Sequence, residues 1–200
     1  MDLPFFDEYS SLFAAHGHSL YLVGGTSRDV LLGLAPSDFD FATEATPQEE
    51  MLFLPDADYS FARFGSIKVK KEGKEIDITT FRIDGEYADF RHPSTVAFVS
   101  SPKEDSVRRD FTINALYMDS HGRVYDFHDG LADLSNKIIR FIGDPDKRVK
   151  EDPLRILRAE RFAKRLGFGF DPLTKKAIEE NRCLLKQLNQ EKVRSEERKG

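Results

Sequence analysis

The chain is 200 residues long and carries 30 Lys and Arg, 35 Asp and Glu, 17 Phe, one Cys and no Trp, for a net charge of −5. At 40% hydrophobic it can bury about 70% of its unfolded surface, which excludes disorder as its main state. The unpaired Cys183 excludes a disulfide scaffold, and no stretch approaches the roughly 20 apolar residues of a membrane helix. The opening MDLPFFDEYSSLF lacks the basic start of a secretory or transit leader, so a cytoplasmic protein with no membrane partner is expected.

Residues 5–16 have helical spacing, ended by His16-Gly17-His18. SLYLV (19–23) predicts a short buried strand running into Gly24-Gly25, then a helix from Arg28 with Thr26 or Ser27 as its N-cap. DFDFAT (38–43) alternates strictly and predicts a strand, and Thr46-Pro47-Gln48-Glu49-Glu50 reads as a helix opening. SIKVK (66–70) and EIDIT (75–79) predict a hairpin turning at Glu72-Gly73, and 84–105 reads as one long loop. Short strands are expected at 113–118 and 124–127, and helix almost throughout from Lys147 onward. Charge divides along the same line, −12 over 1–146 and +7 over 147–200. Two units with different partners follow, the basic one either phosphate-facing or simply a solvated helix surface.

Glycines between a strand and a helix let backbone N–H groups approach a phosphate, which makes Gly24 and Gly25 candidates, although an empty tight turn looks the same. Asp38 and Asp40 stand two apart on a strand, so both carboxylates leave one face, roughly 7 Å apart at Cβ, while Phe39 and Phe41 face the core. Like charges so placed repel unless a cation bridges them, and hard oxygen donors suit Mg²⁺ together with substrate phosphates. Asp77 adds a third acid from a second strand, and three carboxylates beside a glycine turn describe a two-metal phosphoryl or nucleotidyl transfer site. The alternative is a strand with a wet face.

On a helical wheel for 151–166, Ile156, Ala159, Phe162, Ala163 and Leu166 form one stripe that also contains Asp152 and Arg155. Arg158, Arg161, Lys164 and Arg165 fall on the wet side. A buried Asp and Arg need partners, and a nucleobase edge offers the matching donors and acceptors. The competing reading makes Asp152 an N-cap before Pro153. The five His have no metal-ligand spacing and read as loop or surface residues.

LVGGTSRDVLLGLAPSDFDFAT (22–43) resembles the signature of the class II tRNA nucleotidyltransferases and bacterial poly(A) polymerases. RRDFTINALYMD (108–119), YDFHDGLADLSNKIIRFIGDP (125–145) and EDPLRILRAERFAKRLGFGF (151–170) resemble the next three motifs in order, and LLKQLNQEKVRSEERKG (184–200) the start of a fifth. The resemblance implies an α/β (α+β) fold: a polymerase-β-like head with a mixed five-stranded sheet over 1–142, and a helical, base-selecting neck over 143–200. It implies Asp38 and Asp40 as Mg²⁺ ligands, with Asp77 in a third-acid position where the family more often has Glu. Arg108, Arg109, Asp110 and Asn114 are implied on the ribose and phosphates, and Gly24, Gly25 and Arg28 among the nucleotide-binding residues. Asp152 and Arg155 are implied on the incoming base, with Arg158 beside them.

The implied activity is CCA addition: transfer of C and A from CTP and ATP to the 3′ end of tRNA, with pyrophosphate released. The loop residues Asp84, Gly85, Tyr87, Asp89, Arg91 and Pro93 resemble the flexible loop of enzymes that add the terminal A, and FARFGSIKVK is closer to CCA-adding than to poly(A) enzymes. Two alternatives stay open: a poly(A) polymerase using ATP alone, and a nucleotide-binding fragment without catalysis. Because the chain stops inside the fifth motif, a truncated piece or an unusually short relative is expected. Its last helix should then fray or form a homodimer, with weak hold on tRNA.

Overall fold

The structure, a computed structural model, describes residues 3–36, 38–85 and 95–198. Its contacts divide the chain into two units. The first takes residues up to Ile83, then Val96–Arg108 and Asn114–Phe127. The second takes Arg109–Ile113 and everything from His128, with Asp84, Gly85 and Thr95. This division does not coincide with a single cut at 142. The reason is local pairing: Phe111 bridges to Phe141, and their rings stack at 5.1 Å, so Arg109–Ile113 and the 138–142 region belong together.

In the first unit, α1 (Pro4–Ala15) leads into β1 (Leu20–Leu22), α2 (Gly24–Leu31), β2 (Phe39–Thr43) and the single turn α3 (Pro47–Glu50). The hairpin β3 (Ser66–Lys71) and β4 (Lys74–Thr80) follows, then β5 (Arg82–Asp84), β6 (Val96–Phe98), α4 (Pro102–Ser106), β7 (Leu116–Met118) and β8 (Val124–Asp126). Six strands, not five, form the mixed sheet, in the order β3-β4-β2-β1-β7-β8, because the short β8 adds to β7 through Leu116 to Met118. β2 and β4 run parallel, whereas β1–β2 and β3–β4 are antiparallel.

The alternation of β2 decides which face is dry. Phe39 and Phe41 point under α1, where Phe5 meets Phe39 edge-on at 5.7 Å and Phe6 meets Phe41 at 5.3 Å. Ile67, Ile76 and Ile78 complete that layer at zero exposure, each contributing about 1.5–3 kcal/mol by burial. The opposite face packs Ala42, Phe81 and Tyr117, and the even-numbered Asp40 leaves the sheet on that side.

Three local expectations change. α2 starts at Gly24, four residues before Arg28, because Gly24 takes a left-handed turn (φ +67°) and the buried Thr26 and Ser27 hydroxyls are used elsewhere. The expected 84–105 loop contains β6 and the start of α4, while Tyr87, Asp89, Arg91 and Pro93 lie outside the described residues. α3 is short but doubly capped, Thr46 and Glu49 each accepting the other's backbone N–H. Behind that cap Glu50 is completely buried, and neither carboxyl oxygen has a hydrogen-bond partner among the described residues.

The second unit comprises α5 (Gly130–Ser135), β9 (Ile138–Ile139), α6 (Pro145–Glu151), α7 (Leu154–Leu166), β10 (Gly169–Phe170), α8 (Pro172–Asn181) and α9 (Gln190–Glu197). β9 and β10 pair in parallel, and Arg140 ties Asp133 to Asp171, the N-cap of α8. In α9, Val193 packs on Leu154 and Leu157, and Glu196 pairs with Arg161 at 3.0 Å. Among the described residues no helix is long and apolar enough to cross a membrane.

Candidate active site

In the first unit the parallel pairing sets Asp40 beside Asp77 in register, one residue on each of two adjacent strands. Asp40 also lies against the glycine turn. A Cβ on Gly24 would stand 2.9 Å from Asp40 Oδ2, so only glycine tolerates both this approach and the positive φ. Asp38 precedes the strand and is exposed. Across the hairpin, Lys68 faces Asp77 with Nζ 3.4 Å from Oδ1 and is also paired with Glu75. Burial pushes the Asp77 carboxyl above its ordinary range; Lys68 pulls against that rise, and Glu75 and Asp38 add to it. The influence of Asp38 on Asp77 places those two acids within one another's field.

Among the described residues no three His, Cys, Asp or Glu side chains stand arranged to hold a metal. The donor chemistry nevertheless fits a hard divalent cation. Asp40 on β2 and Asp38 just before it are oxygen donors, and Asp77 lies in register with Asp40. Lys68, on the third strand, is the cation already there.

Two residues expected at the nucleotide have partners within the chain. Arg28 is buried; its Nε and Nη2 donate to Asp29 Oδ1 (2.9 and 2.7 Å) and its Nη1 donates to Asn114 Oδ1 at 2.8 Å. Arg28 thereby orients Asn114 from within the helix whose first turn holds the glycines. Arg108 donates its Nε to Asp105 at 2.8 Å, and Asp105, fully buried, also accepts from the Arg82 backbone N–H and the Tyr117 hydroxyl. Asp29, Asp105 and Tyr117 were not singled out in the sequence. The i,i+3 spacing of Asp105 and Arg108 was the one available signal for them.

In the second unit Arg155 is buried and Arg158 half-buried. Arg155 Nε and Arg158 Nε each donate to a different oxygen of Asp110, both at 2.7 Å. Arg155 Nη1 also donates to the Arg148 carbonyl (2.6 Å) and to Glu151 (3.0 Å), and Arg158 Nη2 to Asp152 Oδ2 at 2.8 Å. Burial opposes the charge on Asp110, yet Arg158 and Arg155 hold its carboxyl well below the usual carboxylate range. Asp110 is thus the anchor of the two arginines. The buried Asp152 and Arg155 find their partners inside the chain, and Asp152 Oδ1 accepts the Leu154 N–H as a cap would. Arg109 lends its carbonyl to Arg148 Nη2 at 2.8 Å. Arg161 pairs with Glu196, and Lys164 and Arg165 are exposed.

The poly A polymerase head domain model matches residues 20–140, which spans the whole first unit beyond α1. This chain belongs to that family. Over 181 residues it is 45% identical to the CCA-adding enzyme of Lactobacillus helveticus and 42% identical to that of Geobacillus stearothermophilus, covering 90% of this chain and 45% of each relative. The crystal structure of the Bacillus stearothermophilus CCA-adding enzyme in complex with CTP superposes with a TM-score of 0.86 at 37% identity, covering 98% of this chain and 48% of that one. A tRNA nucleotidyltransferase complexed with a primer tRNA and an incoming ATP analog gives 0.74 at 33% identity, over 94% and 54% of the two chains. The chain thus spans about half the length of the curated relatives it matches.

Proposed function

We propose that this chain carries the catalytic and base-selecting part of a template-independent RNA nucleotidyltransferase, which adds C and A from CTP and ATP to the 3′ end of tRNA. The observation that carries this reading is Asp40, held in register with Asp77 and against the Gly24-Gly25 turn. Asp38 and Asp40 would hold Mg²⁺, with Asp77 as the third acid. A bound divalent cation supplies charge neutralisation at the α-phosphate and the departing pyrophosphate. Gly24 and Gly25 leave room for phosphate oxygens at the backbone. Arg108, fixed by Asp105, and Asn114, fixed by Arg28, bind the ribose and phosphates from set positions.

Asp152 and Arg155 read the base edge. Asp110 keeps the Arg155 fork aimed, so ordering it on binding is not needed. Asp152→Ala is expected to blur the preference for C and A over G and U by roughly tenfold, the effect of an unpaired partner in a base pocket. Single-turnover incorporation of each nucleotide reads this out; full selectivity with only a lower melting temperature would make Asp152 a helix cap and nothing more.

The whole reading is tested by incubating the chain with Mg²⁺, CTP, ATP and a tRNA lacking its 3′ end, then sequencing the products. Ordered C, C and A addition supports it. Extension by A alone points to a poly(A) polymerase, and nucleotide binding without extension to a non-catalytic fragment.

A further inference from the structure

β1 pairs with β2 only up to Leu22 opposite Phe41, and the chain then turns into α2. The Val23 N–H still donates to the Asp40 carbonyl at 3.0 Å, but the return bond of an antiparallel pair is missing: the Val23 carbonyl accepts Ser27 N–H instead. The Asp40 N–H therefore has no strand to pair with on that side. Thr26 fills the place. Its hydroxyl accepts the Asp40 N–H at 2.7 Å and donates to the Asp38 carbonyl at 3.0 Å. Thr26 is at zero exposure, so no water stands in for it at the surface.

A hydroxyl is the one small group that accepts and donates at once. One side chain thereby clamps both ends of the Asp38–Asp40 segment to the first turn of α2, the turn that also holds Gly24 and Gly25. Both bonds run to the backbone, the Asp40 N–H and the Asp38 carbonyl, so Thr26 fixes the segment without using either carboxylate. We propose that Thr26 is a positioning residue for the cation-binding acids, setting the direction of Asp38 and Asp40 relative to the glycine turn. This rests on the reading above, in which those two aspartates hold the divalent cation.

The test compares the 200-residue chain with its Thr26→Val, Thr26→Ser and Asp40→Asn variants. Three quantities are measured: hydrogen exchange of the Asp40 amide, Mn²⁺ binding by electron paramagnetic resonance without nucleotide, and kcat and KM for CTP and ATP. Thr26→Val should expose the Asp40 amide and weaken Mn²⁺ about tenfold, as loss of an outer-shell partner does. It should lower kcat by about a hundredfold, the effect of a small misplacement, with the KM values nearly unchanged. Thr26→Ser keeps the hydroxyl and should restore all three. If Mn²⁺ binds equally to the wild type and to Asp40→Asn, the cation reading itself fails and takes the proposal with it. If Asp40→Asn abolishes binding while Thr26→Val keeps wild-type affinity and kcat, only the Thr26 proposal is overturned. Equal damage from serine and valine overturns it as well. Should the valine variant not fold, Thr26→Ala replaces it, and unfolding of both would make Thr26 a residue of the fold alone.

Discussion

Asp40→Asn is expected to lower nucleotide transfer by on the order of a thousandfold or more, with the melting temperature unchanged or slightly raised. The strand keeps its backbone bonds through the change. Asp40 is held by its backbone, through Thr26 Oγ1 and the Val23 N–H, and asparagine keeps both bonds. The register with Asp77 sets two acids side by side, so removing one charge relieves repulsion rather than creating it. What goes is an oxygen donor of full charge at the glycine turn. Primer extension at saturating Mg²⁺, with a thermal melt alongside, separates the two effects; turnover near the wild-type rate would take Asp40 out of the chemistry.

The second large effect is on stability and comes from Glu50, outside the residues of the candidate site. Burial, with Glu49 adding to it, pushes its carboxyl from 4.5 to about 8. In the folded chain the neutral form is favoured, and on unfolding the group returns to the ordinary range. Its stabilising contribution is therefore complete below about pH 4.5 and lost as pH rises through about 8. Between pH 5 and pH 9 the loss amounts to about 4 kcal/mol. Tyr59, pushed up to about 12 by burial and by Glu50, stays neutral through that window. Melting temperatures of the wild type should fall steeply from pH 6 to 9, and Glu50→Gln should flatten that slope. Parallel profiles for the two proteins would show that Glu50 does not titrate as described.

Much of the first unit was legible because its signals are local. The alternation of DFDFAT, the hairpin at Glu72-Gly73 and the TPQEE capping box each depend on residues within a few positions of one another. Legible too was the burial of Asp152 and Arg155, since a helical wheel needs only the 3.6-residue period. The partners of the charges were not. Arg28 meets Asn114, and Arg155 and Arg158 meet Asp110, across long stretches of chain that no periodicity spans. Arg158, expected on the wet side, is turned inward by Asp110 and Asp152, whose charges hold its guanidinium firmly protonated against the opposing effect of burial. Thr26 read only as a candidate N-cap, and nothing in the sequence pointed to its bonds with Asp38 and Asp40. Its role arises because β1 ends one bond short of Asp40.

The parallel pairing of β2 with β4 also bears on how the chain folds. β1–β2 and β3–β4 are antiparallel and close through nearby segments, but β2 reaches β4 only across everything from Glu44 to Gly73. That closure is the slowest of the three on loop entropy alone, and it brings Asp40 abreast of Asp77. The step that assembles the acids is thus the one their own repulsion opposes. Refolding should quicken with added salt, which screens the two charges, and a nascent chain has no paired acids until Thr80 has emerged.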